Sequence, residues 1–214
     1  GMKLLDKDFG DMYMNVSISP IFRAHYAQSR RIACDAWNKI KDTEYTLNAL
    51  SYGWWMDRVY QYNDPDHIVL REATDGENRA RVTSGVITGI FIAGDDFSAE
   101  GPEVVKEKAM KYLTNAEVNA IANGVAFRPV YGNGEKSECQ FVRIDGEDKA
   151  YYAVFNYTEE EQKTTTPLSD LGLDASFSYE AKELWTGNLM TLKGEIQVTL
   201  PPSDVAVFSI TRRK

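Results

Sequence analysis

Residues 52–67 read YGWWMDRVYQYNDPDH, which joins tryptophans and tyrosines to several carboxylates. Pro65 fixes its own φ and pushes Asp64 out of the helical region, so the chain is predicted to turn after a strand over residues 59–62. The Asp66 carboxylate would then stand at the end of that strand. Carboxylates accept hydrogen bonds from neighbouring sugar hydroxyls, and aromatic faces cover the apolar side of a sugar ring. The stretch favours a carbohydrate site; the alternative is a structural Asx turn beside core aromatic residues.

The composition is that of a globular chain with an acidic surface. Of the 214 residues, 43% are hydrophobic and 26% are charged, which fits one large or two small domains with a substantial core. The formal net charge of -8 argues against nucleic acid or an anionic membrane as the main partner, since both require a basic face. No apolar run is long enough to cross a membrane. A neutral substrate is compatible with this charge.

The cysteines and histidines form no metal or redox motif. Cys34 and Cys139 are far apart in sequence and are predicted to be separate thiols, which indicate no particular compartment. His25 and His67 stand at no metal-binding distance in sequence from a cysteine or an acid. We therefore expect no metal and no cofactor.

Four segments in the first part of the chain predict β-strands: residues 14–19, 31–35, 59–62 and 89–93. Helical patterns lie between them, so they describe parallel βα units. In a closed barrel of such units the functional residues lie at the carboxyl ends of the strands, where Ser19, Asp35, Asp66 and Asp95 would fall. Four units make half of an eight-stranded barrel. The alternative is an open α/β layer with a different site.

The second part of the chain alternates between apolar and polar residues at a period of two. The alternating segments are residues 141–144, 151–156, 164–168, 181–185, 196–200 and 205–210. Turn residues separate them, which predicts a small antiparallel β-sandwich with Trp185 in its core. The predicted domains are therefore residues 1–126, a partial α/β barrel, and residues 127–214, an all-β sandwich.

Several short motifs occur in a fixed order along the chain. They are RIACD at 31–35, NDPDH at 63–67, IFIAGDD at 90–96, LTNAEV at 113–118, AVFN at 153–156, ELW at 183–185 and the proline pair at 201–202. With these motifs the sequence resembles the α-galactosidase (melibiase) group, glycoside hydrolase families 27 and 36, over residues 14–211. The resemblance implies an eight-stranded α/β barrel followed by a β-sandwich.

The resemblance also implies roles for individual residues. Asp35 matches the general acid/base of the family, Arg31 an arginine that binds the sugar ring, and Asp66 an aspartate that accepts sugar hydroxyls. Many family members have methionine where this chain has His67, so the substrate need not be a plain terminal galactose. One tryptophan of the pair Trp54 and Trp55 is expected to face the sugar, unless both are packing residues.

The chemistry of the family sets conditions on these residues. A retaining glycosidase uses two carboxyl groups about 5 Å apart, one as nucleophile and one as acid/base. The acid needs a raised pKa, and Arg31 works against this at Asp35 unless its guanidinium is committed to the sugar or to another acid. The family nucleophile ends the fourth strand, upstream of the residues present here. The aspartates near the N-terminus, Asp6, Asp8 and Asp11, follow no predicted strand and are not assigned that role.

The leading hypothesis is the C-terminal part of an α-galactosidase-like retaining glycoside hydrolase that lacks its nucleophile and is inactive alone. The second hypothesis is a non-catalytic module that binds carbohydrate or a partner protein. A half-barrel exposes strand edges, so pairing as a homodimer or with an upstream barrel half is expected to cover them. For individual residues, Asp35 has the alternative of capping the next helix, and Arg31 that of a structural ion pair.

Overall fold

The computed structural model describes residues 1–17, 19–22, 24–132, 134 and 137–213. The α-helices are α1 (Met2–Phe9), α2 (Ile40–Gly53), α3 (Asp75–Thr88), α4 (Glu103–Tyr112) and α5 (Ala116–Asn119). Two short 3-10 helices span Ala24–Tyr26 and Trp54–Arg58. Within the described residues, no helix is both long enough and apolar enough to span a bilayer.

A small parallel sheet lies in the first half of the chain. Its strands are β1 (Asn15–Val16), β2 (Ser29–Arg31) and β3 (Tyr62–Asp64), in the order β1-β2-β3. Asn15 is in register with Ser29, and Ser29 with Tyr62. The carboxyl ends of β2 and β3 therefore lie side by side.

The parallel strands are shorter than the sequence predicts, and two of them are displaced. β2 covers residues 29–31 instead of 31–35, and β3 covers 62–64 instead of 59–62. The 3-10 helix Trp54–Arg58 occupies the approach to β3 and delays its start. The apolar run at 89–93 adds one parallel bridge between Ile68 and Ala93 instead of a full strand.

Helix α3 lies at the centre of the molecule. Thr74 caps its N-terminus by accepting a hydrogen bond from the Glu77 N–H, and the Glu77 carboxylate accepts one from the Thr74 N–H in return. All residues from Ala80 to Thr88 are buried. Helix α2 packs against α3 and starts at Ile40, with Asp42 in its first turn.

The second half of the chain forms an eight-stranded antiparallel sheet. The strands are β4 (Arg128–Pro129), β5 (Gln140–Ile144), β6 (Lys149–Asn156), β7 (Gln162–Pro167), β8 (Ser178–Glu183), β9 (Leu189–Lys193), β10 (Glu195–Leu200) and β11 (Asp204–Arg212). Their order is β4-β5-β6-β11-β8-β9-β10-β7. The sheet folds over so that β7, β9 and β10 cover one face of the central strands.

Two hydrophobic cores lie on opposite faces of the central strands. Alternate residues such as Phe155 and Val207 pack against α2 and α3 in the first core. Their neighbours, including Tyr152 and Phe208, pack in the second core with residues of β9 and β10, and the Tyr152 hydroxyl is 3.2 Å from Thr166 Oγ1 of β7. A strand buried on both faces in this way needs apolar residues on both, as β6 and β11 have. The predicted antiparallel β-sandwich is confirmed.

Two smaller predictions have different outcomes. Cys34 and Cys139 are free thiols, as predicted. Trp185 is not in the core of the sandwich: its ring is half-buried against the first core, and its Nε1 donates a hydrogen bond of 3.0 Å to Thr83 Oγ1 on α3. The prediction was wrong because the alternating strand ends before this residue, at the junction with the helices.

Candidate functional site

Arg31 joins two carboxylates at the ends of adjacent strands. Its NH1 nitrogen lies 3.0 Å from Asp35 Oδ1 and 3.0 Å from Asp66 Oδ1. Arg31 ends β2 and is in register with Asp64 of β3, so the turn that carries Asp66 comes directly alongside. Arg31 thus contacts both of the acids that the sequence selects. The two acids meet through one guanidinium.

The carboxylate of Asp66 is held firmly by the protein. Only 8% of its side chain is exposed, and Oδ2 accepts a hydrogen bond of 2.7 Å from the Ala36 N–H. Burial by itself raises the pKa of Asp66, but the hydrogen bonds from Ala36 and Arg31 outweigh it and hold the pKa below its usual range. Asp66 is therefore an ionised hydrogen-bond acceptor at neutral pH.

The predicted Asx turn exists, but another aspartate forms it. Asp64 Oδ1 accepts a hydrogen bond of 2.7 Å from the Asp66 N–H. Asp66 itself has a φ of 68°, a left-handed conformation that is uncommon for residues other than glycine, asparagine and aspartate. Such a conformation persists where the surroundings hold it in place, often at functional sites.

Asp35 stands at the mouth of an open groove. Its side chain is 65% exposed, and it follows β2 in a loop that leads to α2. The N-cap of α2 is Lys39, so Asp35 does not cap that helix. The acid/base role was expected to need an Arg31 that is committed to the sugar or to another acid. Arg31 does bind Asp66, but it also contacts Asp35, whose carboxylate is open to solvent.

The groove has a volume of about 600 Å³. Polar and apolar groups both line it, and the residues are Ser17, Ser19, Arg30, Arg31, Ile32, Ala33, Cys34, Asp35 and Tyr45. Ser19 was expected here as a strand-end residue. Arg30 and Tyr45 were not, because their placement depends on how the strand end and α2 face each other. The hydrogen bond between Tyr45 and Cys34 raises the pKa of the tyrosine.

His67 lies beside Asp66 and faces an aromatic ring that sequence reasoning missed. His67 Nδ1 is 3.4 Å from Asp66 Oδ1. The Trp37 ring meets the His67 ring edge-on, with centroids 5.3 Å apart, and Trp37 is 51% exposed. Its position two residues after Asp35 was the available signal. An exposed ring beside a carboxylate can cover the apolar face of a sugar.

Trp54 and Trp55 lie elsewhere. Both belong to the 3-10 helix that precedes β3, whereas Asp66 follows β3. Trp54 packs against the first core, and Trp55 Nε1 donates a hydrogen bond of 2.8 Å to Tyr52 O. Neither is among the described residues that line the groove. Trp54 is thus a packing residue, whereas Trp55 is 38% exposed outside the groove.

Asp95 is a structural residue in this arrangement. Its buried carboxylate accepts hydrogen bonds from the Leu70 N–H at 2.7 Å and from Arg71 Nε at 2.9 Å. These bonds tie the segment after His67 to the end of the apolar run. Asp95 neither caps a helix nor belongs to the groove lining of the described residues. The same residues contain no cluster of histidine, cysteine and acidic side chains arranged for a metal ion.

Part of the sandwich matches a known family of protein domains. Residues 144–210 match the family described as the alpha galactosidase C-terminal beta sandwich domain. The protein named "Probable alpha-galactosidase A" from Aspergillus flavus is 27% identical over 176 residues, which is 82% of this chain and 32% of that protein. Its namesake from Aspergillus oryzae matches equally well. The chain thus spans about a third of the length of these curated relatives.

Solved structures share the fold across the whole chain. A β-L-arabinopyranosidase of glycoside hydrolase family 27 from Geobacillus stearothermophilus, in complex with arabinose, has a TM-score of 0.79 and 19% identity, covering 100% of this chain and 54% of its own. α-Galactosidase I from Mortierella vinacea has a TM-score of 0.63 and 14% identity, covering 88% of this chain and 54% of its own. Together these findings confirm that the chain is α-galactosidase-like and resembles the C-terminal portion of such glycoside hydrolases.

Proposed function

We propose that this chain contributes the acid/base and part of the sugar-binding site of a retaining glycoside hydrolase that acts on α-galactoside-like substrates. In this proposal Arg31 and Asp66 bind sugar hydroxyls and Asp35 is the general acid/base. The contact of one guanidinium with both carboxylates, at the rim of a groove, is the observation that carries the proposal. Residues 1–126 would be the C-terminal half of a β/α barrel and residues 127–214 the sandwich domain.

The proposed roles follow from the chemistry of each group. An ionised Asp66 offers only acceptor lone pairs, which suit sugar hydroxyls, and Arg31 offers donors. Asp35 is exposed, so a proton can reach it, but an acid that works near neutral pH needs burial to raise its pKa. A bound sugar and a second protein surface over the groove would supply that burial. His67 and Trp37 would border the sugar on the side of Asp66.

The nucleophile is proposed to come from outside this chain. Helix α1, which carries Asp6 and Asp8, has exposed side chains throughout except for the half-buried Met2, and Asp11 is exposed just after it. No strand of the described residues precedes them. The chain alone is therefore expected to bind a sugar without hydrolysing a glycoside.

The N-terminal region is proposed to meet a further protein surface. Large apolar side chains are exposed there, namely Leu4, Leu5, Phe9, Met12, Tyr13, Ile21 and Phe22. Among the described residues β1 pairs with β2 on one side and with no strand on the other. An upstream barrel half or a second copy of the chain would cover this edge. Light scattering tests it: a stable monomer at high concentration contradicts pairing between copies.

Calorimetric titration with galactose and with L-arabinose tests the proposed sugar site. Wild-type protein should bind one of them, and Asp66→Asn should abolish binding. Asp95→Asn is the matched control, because Asp95 is also a buried carboxylate with a backbone partner but lies away from the groove. Equal losses in the two variants would contradict a role for Asp66 in binding.

Assays with nitrophenyl α-glycosides test the catalytic part. The chain alone should give no turnover. Turnover by the chain alone that disappears in Asp35→Ala would show that the site is complete and would overturn the proposal of a missing nucleophile.

A non-catalytic carbohydrate-binding or interaction module is the second candidate. The exposure of Asp35 favours it, because a general acid that works near neutral pH needs a buried setting, and 65% of the Asp35 side chain is exposed. Sugar binding without hydrolysis, even when an upstream barrel half is added in trans, would support the module over the enzyme.

A further inference from the structure

Arg81 is a buried arginine directly behind the turn that carries Asp66. It lies in the middle of α3, and none of its surface is exposed. Its NH2 donates to Pro65 O at 2.9 Å and to His67 O at 2.8 Å, and its Nε donates to His67 O at 3.2 Å. The guanidinium thus binds the carbonyls on both sides of Asp66.

The other end of the guanidinium is anchored to two helices. NH1 donates to Thr46 Oγ1 of α2 at 3.2 Å and to Ser84 Oγ of α3 at 3.3 Å. Among the residues that the structure describes, no carboxylate forms an ion pair with Arg81. Burial lowers the pKa of Arg81 to about 10, which still leaves it charged at neutral pH.

A buried, charged arginine without an acid partner is costly, so its arrangement needs a reason. Replacing it by an apolar residue of similar volume would avoid the desolvation of the charge. What the arginine adds is a planar group that donates to two carbonyls at once, those of Pro65 and His67. Asp66 lies between these two residues and has a φ of 68°, a conformation that its surroundings must hold in place.

We propose that Arg81 is the positioning residue for Asp66. Its hydrogen bonds to Pro65 O and His67 O fix the chain before and after Asp66 in the left-handed turn, and so aim the carboxylate at the Ala36 N–H and Arg31. That Arg81 holds the Asp66 turn is a claim about this chain alone. That this turn affects sugar binding rests on the proposed function.

The deciding variant is Arg81→Lys, with Arg79→Lys as its matched control. Lysine keeps the positive charge but has one nitrogen, which cannot grip both carbonyls and Thr46 together. Arg79 lies on the same helix but pairs with Asp204 of the sandwich, at 3.0 Å and 2.6 Å. Both variants lose a guanidinium from α3, and only one of them touches the Asp66 turn.

Two NMR measurements report on Asp66 itself. The first is hydrogen exchange of the Ala36 amide, which should become about tenfold faster in Arg81→Lys, since a hydrogen bond to a charged group is weakened. The second is the titration of the Asp66 carboxyl, whose pKa should rise because bonds to its ionised form are lost. The groups around that carboxyl are Arg31, Asp35, Asp64, His67 and Arg81. Asp66→Asn assigns the resonance.

The outcomes separate positioning from a purely structural role. Positioning predicts both changes in Arg81→Lys and neither in Arg79→Lys. A fall in melting temperature with both Asp66 readouts unchanged would overturn the proposal. If Arg81→Lys does not fold, the double variant Thr46→Val with Ser84→Ala decides, because it keeps Arg81 and removes its two helix anchors. Smaller changes in the same direction are then expected, and unchanged readouts overturn the proposal.

Titration with sugar adds a separate result. If wild-type protein binds galactose or L-arabinose, Arg81→Lys should weaken binding at least tenfold while Arg79→Lys does not. If wild-type protein binds neither sugar, the proposed function fails, and the NMR readouts still decide whether Arg81 positions Asp66.

Discussion

The antiparallel sheet and the parallel strands are held together in different ways. β6 and β11 pair over a continuous register from Asp204 with Asn156 to Thr211 with Lys149. The parallel strands pair over two or three residues each. Around them, hydrogen bonds made by side chains replace backbone bonds between strands: Asp64, Asp95 and Arg81 each bond to the backbone of the turns. The candidate site thus lies in the region where the backbone depends most on side chains.

The largest expected effect tests the sandwich side of this comparison. Phe208→Ala removes a buried ring that stacks on Tyr152 in the second core, and should lower the free energy of unfolding by about 3–5 kcal/mol. Phe9→Ala removes an identical ring from exposed α1 and should change it by less than about 0.5 kcal/mol. Urea denaturation measures both. A large loss in Phe9→Ala would mean that α1 is packed against a partner.

The second prediction concerns the junction between the two regions. A Cβ at Gly76, in the first turn of α3, would lie 2.5 Å from Ser203 O and 3.1 Å from the Asp204 carboxyl carbon. Alanine gains at most about 1 kcal/mol in helix propensity, whereas overpacking costs about 1–3 kcal/mol. Gly76→Ala should therefore destabilise the protein. A rise in the melting temperature would show that α3 and the β10–β11 turn can separate without cost.

The two regions also differ in how far the sequence predicts them. Alternation at a period of two identified six of the eight antiparallel strands and missed β4 and β9. The pattern is clearest in β10, where every second residue is buried, whereas β6 and β11 are buried on both faces. The parallel strands are short. The start of β3 was missed because the chain stays in a turn after the 3-10 helix, where the N–H groups of Val59 and Tyr60 bond to Met56 O. Arg31, Asp35 and Asp66 were found through short motifs that place them at strand ends.

The residues that were missed owe their positions to packing between distant segments. In the sequence, Arg81 looks like any polar residue of a helix. Its contacts with α2 and with the turn at Asp66 form only when these segments pack together. Trp37 reaches His67 from across the turn, while Trp54 is drawn into the first core. A sequence window contains none of these contacts.

The third prediction uses acid to probe the turn. The pKa of Asp66 is lowered below 3.8, so the folded state binds this proton less readily than the unfolded state. The stabilisation is complete above about pH 5 and is lost as the pH falls through the lowered pKa. Asp66→Asn, which resembles the protonated acid, should cost about 1–2 kcal/mol near neutral pH.

Denaturation of the wild type and of Asp66→Asn between about pH 7 and pH 3 tests whether acid removes this stabilisation. The difference in stability between wild type and Asp66→Asn should shrink on acidification, because wild-type Asp66 becomes protonated too. A stability difference that stays constant with pH would contradict the prediction, because it would mean that the charge of Asp66 does not stabilise the folded state.

The smallest effect is expected at Asp35, and its smallness is informative. Asp35 contacts Arg31 at 3.0 Å, but its side chain is 65% exposed, and ion pairs at such positions contribute at most about 0.5–1 kcal/mol. Arg31 also keeps its bond to the buried Asp66, so Asp35→Asn leaves no buried charge without a partner. The melting temperature should hardly change.

If Asp35→Asn destabilised the protein as much as Asp66→Asn, Asp35 would be a structural residue like Asp66. A stable variant means instead that any loss of turnover, measured with a complementing barrel half, reports on proton transfer alone.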